Sequence, residues 1–413
     1  MARLDCQLQD RYKRTPVGLI PIDWSIANGF ITINSGYGFK LDEYSEEGVP
    51  LIRINNVKHS QMDYSDLVKL PFSYIQEYKE FVLKRNDILM ALNRPITQGN
   101  LKISKLDIEP AILYQRVGKL VFDEGYNPEF YYHYLKSHMF VNKLEINLVG
   151  SDQPYIKNNE FYRMYFPVPP IIEQSKIAEI LSTWDKAIEL KERLIDEKKK
   201  QKTGLMQKLL TGKVRLPSFI GEWKEVKLGK VIREINDKTT ENNQYQVLTS
   251  SRQGIFLQEE YFNKSVASSN NIGYKIIKKG QFTYRTMSDD GSFKFNRLME
   301  YEEGIVSPAY VVFETTKINP VFLMNLMNDY SFNKHIQKET QGGTRLSLKY
   351  NSLKEFVIKI PSIEEQDAIA NVLNIVDKVI ELNQKELEKI KLQKKGLMQL
   401  LLTGIVRVNT QES

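Results

Sequence analysis

At 413 residues, with 58 Lys and Arg against 51 Asp and Glu, the chain is too long for one ordinary core, and its charge of +7 permits a polyanionic partner without requiring one. A single cysteine, Cys6, excludes an intramolecular disulfide and a thiolate zinc cluster and favours a reducing, cytoplasmic setting. The start MARLDCQLQDRYKRTP lacks a signal peptide's apolar stretch, and no run approaches the roughly 20 apolar residues of a bilayer span, so no membrane partner is expected.

The first block, roughly residues 10 to 165, alternates strand-like runs such as VPLIRINNV and RVGKLVFD with turn signals and a helical PEFYYHYLKSHMF, as in a mixed α/β domain. A long helix follows, with apolar residues at heptad steps: Ile177, Leu181, Trp184, Ile188, Ile195, Leu205 and Leu209, interrupted by Lys191, Lys198 and Lys202. From Glu173 to Thr211 it would be about 58 Å long. The second block, roughly 217 to 358, reads as mixed α/β through QYQVLTS, GYKIIKKGQFTYRT, GIVSPAYVVFE and NPVFLMNLMN. A second long helix begins at Ser362, where Glu365 three residues on suggests a capping box, and its seam runs through Ile369, Leu373, Val376, Ile380, Leu387, Ile390, Leu397 and Leu401. Asn383 and Lys394 interrupt it, and Gly212 and Gly404 stand where C-terminal caps are expected.

The two helices are copies. Shifted by 192 residues, positions 169 to 216 align without a gap and 25 of 48 pairs are identical, including TGLMQKLLTGKVRL at Thr203 against KGLMQLLLTGIVRV at Lys395. The same offset pairs NPEF at Asn127 with NPVF at Asn319, and GSDQPYIKNN at Gly150 with GGTRLSLKYN at Gly342. Upstream the halves diverge, so each is a variable block with a shared tail. Two seams broken by lysines bury most simply on each other, antiparallel with one block at each end; the alternative is that each helix packs only on its own domain. Gly204 and Gly396 recur inside the helices, where glycine costs about 1 kcal/mol relative to alanine, and suggest either close helix approach or a break before a short terminal helix.

Catalytic signatures are missing: there is no Walker loop, dinucleotide fingerprint, nucleophile elbow or zinc spacing. NSGYGFK at Asn34 reads as a plain turn, the histidines His59, His133, His138 and His335 are isolated, and Asp289-Asp290 lies in a Gly/Ser turn where adjacent acids are chance neighbours. Binding is therefore expected, with no catalytic residue and no metal.

The helix starts PPIIEQSKIAEIL and PSIEEQDAIANVL, the GLMQ…LLTG helix ends and the paired variable blocks together resemble the specificity (S) subunits of type I restriction-modification systems. Within the blocks, GYGFKLDEYSEEGVPLIRINNV at Gly36, YQVLTSSRQGIFLQEEYFNK at Tyr245, GIVSPAYVVF at Gly304 and PSFIGEWKEVKLG at Pro217 carry the same likeness, which covers nearly the whole chain. It implies two α+β target-recognition domains, residues 1–168 and 217–360, separated by conserved helices, 169–216 and 361–413, that form an antiparallel coiled-coil spacer in a pseudo-twofold duplication. Each domain would read one half of a split sequence in the major groove of double-stranded DNA. The helices would set the gap and bind two methyltransferase (M) subunits, with restriction (R) subunits joining them. S-adenosylmethionine, ATP and Mg would belong to those partners, and the chain itself would hold no cofactor.

Arg pairs naturally with guanine and Asn or Gln with adenine, which singles out Arg53, Asn55, Asn93, Arg94, Gln98 and Lys102 in the first domain, ordinary surface hydrogen bonding being the alternative. The aligned loops add Ser151, Gln153 and Lys157, and Thr344, Arg345 and Lys349; Gln153 against Arg345 is the kind of difference expected of halves that read different letters. The second domain adds Ser251, Arg252, Gln253, Tyr284, Arg285 and Ser292, and the partner-binding candidates are Trp184, for which core packing is the alternative, Leu205, Met206, Leu397 and Met398. Two other classes remain open at this point: a scaffold whose domains bind protein or RNA, and an enzyme whose site is built from unrecognised residues.

Overall fold

The computed structural model describes residues 11–150, 152–262, 270–339 and 346–410, so Ser151, Thr344 and Arg345 lie outside the described residues. The chain divides into two compact units, Met1–Lys191 with Glu386–Ser413, and Glu192–Lys385. Each unit therefore holds one variable block and an end of both long helices.

In the first unit, β1 (Ile31–Ser35), β2 (Ile88–Ala91), β3 (Ile103–Lys105) and β4 (Val117–Phe122) form an antiparallel sheet in the order β3-β2-β4-β1. All four residues of β2, Ile-Leu-Met-Ala, are buried, as suits a central strand covered on both faces. A second four-stranded sheet, with Val49–Ile52 parallel to Ala111–Leu113, buries Ile52, Ala111 and Leu113 with Leu89 of β2 and Val117 of β4. The second unit repeats the first sheet with β5 (Ile232–Ile235), β6 (Phe282–Arg285), β7 (Asn296–Arg297) and β8 (Tyr310–Thr315), ordered β7-β6-β8-β5 and again antiparallel.

Each NPxF word starts a helix for a local reason. Proline supplies the fixed φ of the first turn, and Asn127 caps α1 (Pro128–Leu135) by accepting from the N–H groups of Glu129 and Phe130 at 2.9 and 3.1 Å. The N–H of Asn127 donates to Gln174 Oε1 at 2.9 Å, and Gln174 Nε2 donates to the Pro169 carbonyl at 2.8 Å. Gln174 thereby ties α1 to the start of α2 (Ile171–Leu209). In the second unit Asn319, Gln366 and Pro361 repeat the arrangement between α3 (Pro320–Met327) and α4 (Ile363–Leu402) at 2.9 and 2.9 Å. Both glutamines are buried, which explains why the helix starts share a glutamine.

At 39 and 40 residues, α2 and α4 are unbroken. Within each unit their ends run antiparallel and merge with the block's core: Ile177, Ala178 and Leu181 of α2 with Leu401 and Leu402 of α4 in the first, Ile369, Ala370 and Leu373 of α4 with Leu209 and Leu210 in the second. Three of the four lysines that interrupt the seams find carboxylates across them, while Lys198 donates to Gln201 of its own helix. Lys191 Nζ lies 2.5 Å from Glu386 and Lys394 pairs with Asp185 in the first unit; Lys202 lies 2.5 Å from Asp377 in the second. The helices thus pack on each other as well as on the blocks. Gly212 and Gly404, at φ 68° and 69°, end the helices in the left-handed conformation that favours glycine.

Two expectations are corrected. Ser362 Oγ accepts from the Glu365 N–H at 3.4 Å, but the Glu365 carboxylate does not return to the cap: both its oxygens sit 2.6 Å from the Arg215 guanidinium, a stronger partner than a backbone N–H. Gly204 and Gly396 serve neither close approach nor a break, since both helices run through them and a Cβ at either would meet nothing within 4 Å.

Candidate nucleic-acid interface

In the first unit, polar candidates gather at one end of the β3-β2-β4-β1 sheet. The chain leaves β2, the Arg94 N–H donates to the Pro154 carbonyl at 2.7 Å, and a hairpin pairs Ile96–Thr97 with Asn100–Leu101. Its two-residue turn is Gln98-Gly99, at φ 50° and 71°; both residues are left-handed, as a tight turn between right-twisted strands requires. Gln98 is therefore held at an exposed tip. The loop carrying Gln153 closes through mutual hydrogen bonds of Val149 and Tyr155, and Tyr155 also bridges Asn93. This brings Asn93, Arg94 and Gln153 side by side, with Arg94 Nη2 3.5 Å from the Asp152 carbonyl. Lys102 enters β3 beside them; burial holds its amine below the usual lysine range, and Lys58 and Arg94 add to the shift.

The remaining candidates of this unit stand elsewhere. Arg53 is committed to Asp66, whose carbonyl and carboxylate each accept from Nη2 at 2.9 Å, so it organises the loop between residues 53 and 66. Asn56, buried at 1 % exposure, holds the same loop through the Arg53 N–H and the Asp63 carbonyl, while its neighbour Asn55 is exposed. Lys157 is exposed and pairs with Glu160 at 3.4 Å.

In the second unit a hairpin pairs Leu248–Ser251 with Gly254–Leu257, leaving Arg252 and Gln253 at an exposed turn. Asp290, set aside in the sequence as a chance neighbour, organises this region. One oxygen accepts from Ser288 Oγ at 3.0 Å and from Ser292 N and Oγ at 3.1 and 2.7 Å, and the other takes the Arg252 guanidinium. Those Ser292 bonds, then Arg252, hold the carboxyl far below the usual carboxylate range. Asp290 thus clamps the Arg252 turn to the loop that follows β6, and the sequence signal was Asp two residues before Ser, an Asx turn. Ser251 accepts from the Gln253 N–H at 3.1 Å within the turn. Arg285 and Lys349 are exposed. Tyr284 is different: it is fully buried against Phe295 and Phe313, because alternate residues of a strand face opposite sides and its side faces the core. Its side chain is unavailable to a ligand.

Among the partner-binding candidates, Leu205 and Met206 are half-buried against the second unit's core, and Leu397 and Met398 against the first's. Trp184 is half-buried and lines an open groove of about 500 Å³ with Lys176, Glu179, Ile180, Thr183, Val408 and Asn409. Ile171, Ile172, Leu190 and Leu392 are exposed on the helices at 49 to 70 %.

A second charged group is built into the first unit. Lys136, its side chain 4 % exposed, lies 3.6 Å from Asp185, which also takes Lys394; His133 Nδ1 is 3.7 Å from the same carboxylate. Burial brings the Lys136 amine down to about 7 and pushes His133 well below the usual histidine range. No group of His, Cys, Asp and Glu among the described residues converges as metal ligands would, and no described helix is long and apolar enough to cross a membrane.

Two like-built α+β units, joined by long helices and carrying differing polar loops at the same end of the same sheet, define a duplicated recognition scaffold. The chain belongs to the family of type I restriction modification DNA specificity domains, whose model matches it twice, at residues 25–199 and 220–392. It is a specificity subunit with two target-recognition domains and is not an enzyme. The MjaVIII specificity subunit of Methanocaldococcus jannaschii is 40 % identical over 213 residues, which is 50 % of each chain. The putative MjaX specificity subunit of the same organism is 25 % identical over 97 % of this chain and 98 % of its own. Among solved structures, the type I S subunit from M. genitalium shares the fold at a TM-score of 0.55 and 14 % identity, covering 92 % of this chain and 96 % of its own.

Proposed function

We propose that each unit reads one half of a split DNA sequence and that the chain delivers partner methyltransferase subunits to it. The supporting observation is that one sheet topology and one helix junction occur twice, while the loops at the end of the sheet differ: Arg94, Gln98 and Gln153 in the first unit, Arg252, Arg285 and Ser292 in the second. A repeated frame with exchanged side chains is what reading two different half-sites by base-edge contacts requires. Ser151, Thr344, Arg345 and Lys349 belong to the same proposal by their place in the sequence.

The long helices offer two equivalent surfaces, which suits two M subunits, with R subunits added in complexes that cleave. Trp184 and its groove supply one such surface. Methyl transfer from S-adenosylmethionine to a base turned out of the stack, and work driven by ATP and Mg, would fall to those partners in the cytoplasm. Co-expression with the host methyltransferase and sequencing of methylated adenines tests the proposal. A split motif that depends on this chain supports it, and methylation indifferent to the chain removes it. An RNA or protein scaffold predicts that indifference.

A further inference from the structure

Lys102 and Lys294 take equivalent places in the two sheets although the polar residues around them differ. In the first unit the Lys102 carbonyl accepts from the Ala91 N–H at 3.0 Å, just beyond the Ile103–Met90 pair of β3 and β2. In the second unit the ladder ends at the Thr283–Asn296 pair, and Lys294 lies two residues before Asn296, at the register of Arg285 at the end of β6. The correspondence continues inward. The N–H groups of Leu106 and Leu298 donate to Asp87 and Gln281 at 3.0 and 2.9 Å, and those of Asn86 and Gly280 return to Leu106 and Leu298 at 2.8 and 2.7 Å. Lys102 and Lys294 therefore stand on the same rung, in blocks whose sequences diverge.

Their neighbours have changed. Ala91 stands at the register of Lys102 and Arg285 at that of Lys294; Asn93 and Arg94 follow β2 where Met287 and Ser288 follow β6; and Gln98-Gly99 turns a hairpin where Asp290-Gly291 lies in the loop between β6 and β7. Neither side-chain amine has a carboxylate or a hydrogen-bond partner among the described residues. Lys102 is half-buried and Lys294 exposed, and both amines are held below the usual lysine range, first by loss of surrounding water and then by nearby cations, Lys58 and Arg94 for one and Lys202 for the other. An ammonium without a partner gains a charge-assisted hydrogen bond when an anion arrives.

The two halves can read different letters only if the groups touching base edges differ, whereas the phosphates they straddle are the same in any sequence. A lysine kept while its surroundings are exchanged therefore belongs to the sequence-independent part of the contact. We infer that Lys102 and Lys294 are a matched pair of phosphate contacts, one for each half-site, that seat each unit on the DNA backbone without reading letters. This rests on the DNA-reading function proposed above, and Lys294 is a residue that inspection of the sequence did not single out.

The test uses the full chain assembled with its methyltransferase partner and a duplex carrying the motif that the wild-type complex methylates. Binding is measured from roughly 50 to 200 mM salt for wild type, Lys102→Gln, Lys294→Gln and the double variant. Each single change should lower the slope of log affinity against log salt by about 0.9 and the double change by about 1.8, with the methylated letters unaltered. Lys→Arg at either position should restore the slope, because a guanidinium also binds phosphate; a purely structural role would not track the salt slope in this way. An unchanged slope in either single variant, or altered letters in one half-site, would overturn the pairing. If the wild-type complex binds its motif no better than a scrambled duplex, the DNA-reading proposal itself fails and takes the inference with it.

Discussion

Replacing Arg407 by alanine should unfasten the C-terminal segment from the first unit. Glu173, its side chain 1 % exposed, accepts from Arg407 Nε and Nη2 at 2.7 and 2.8 Å and from Trp24 Nε1 at 2.9 Å. Arg407 also reaches the two oxygens of Asp23 at 2.9 and 2.7 Å and lies over the Trp24 ring at 5.9 Å. Arg407→Ala leaves a buried carboxylate with one neutral donor, and breaking such a pair costs about 3 to 5 kcal/mol. Because Arg407 is 41 % exposed, water replaces part of what is lost, so the lower end, about 3 kcal/mol, is expected. Hydrogen exchange by mass spectrometry, resolved by peptide, should then show protection in the first unit falling by about 100-fold while the second unit is unaffected. Glu173→Gln combined with Arg407→Ala removes the stranded charge and should recover part of the loss. A loss below about 1 kcal/mol, or a double variant no better than the single, would show that Glu173 is not a stranded charge without Arg407. Arg215 and Glu365, the latter 2 % exposed, make the matching pair in the second unit, so Arg215→Ala should reverse which unit loosens.

Other expectations follow from separate features. Lys136 sits at about 7 in the folded chain against an ordinary 10.5, so between those values the unfolded chain binds more protons and this group makes the first unit more stable as pH rises. Lys136→Met should flatten that dependence in thermal melts and raise stability near neutrality; an unchanged slope would contradict the burial argument. Gly204→Ala and Gly396→Ala should each stabilise the chain by about 1 kcal/mol, since nothing opposes a Cβ there, and should weaken capture of the methyltransferase if its surface fills that space. Raised melting with undiminished capture would leave the glycines without a role in docking. Asp290→Asn releases Arg252 and should relax the letters of one half-site only, read from the methylation motif; loss of both halves would show that the clamp is not local. One heptad added to each long helix should alter the gap of the methylated motif and keep its letters, and an unaltered gap would sink the idea that helix length sets it.

The periodic features were legible in the sequence. Heptad spacing located both long helices, the glycine after each LLT located its end, and Asn-Pro located the starts of α1 and α3, because these depend on chemistry within a few residues. What was hidden depends on contacts distant in the chain. The glutamate of the second EQ word looks like a capping residue and that of the first carries no signal, yet Glu365 and Glu173 serve Arg215 and Arg407, 150 and 234 residues away. The twice-spelled helix end is for that reason a docking segment as well as a terminator: the copy at Lys395 completes the first unit and the copy at Thr203 the second. Tyr284 misled because a strand residue's face follows from which way the sheet turns, which its neighbours in sequence do not reveal. Asp290 was hidden by its commonness, since only the arrival of the Arg252 turn distinguishes it from any acid in a loop.

The proposed function is that two units of one chain select a split DNA target for a partner enzyme. Sequencing of methylated adenines in cells expressing the methyltransferase with and without this chain tests that directly. The prediction is a two-part, asymmetric motif with an unread gap, present only with the chain, in which exchanging the second unit's 251–254 and 286–292 loops changes one part alone. Methylation that persists without the chain, or a motif in which both parts change together, would contradict it.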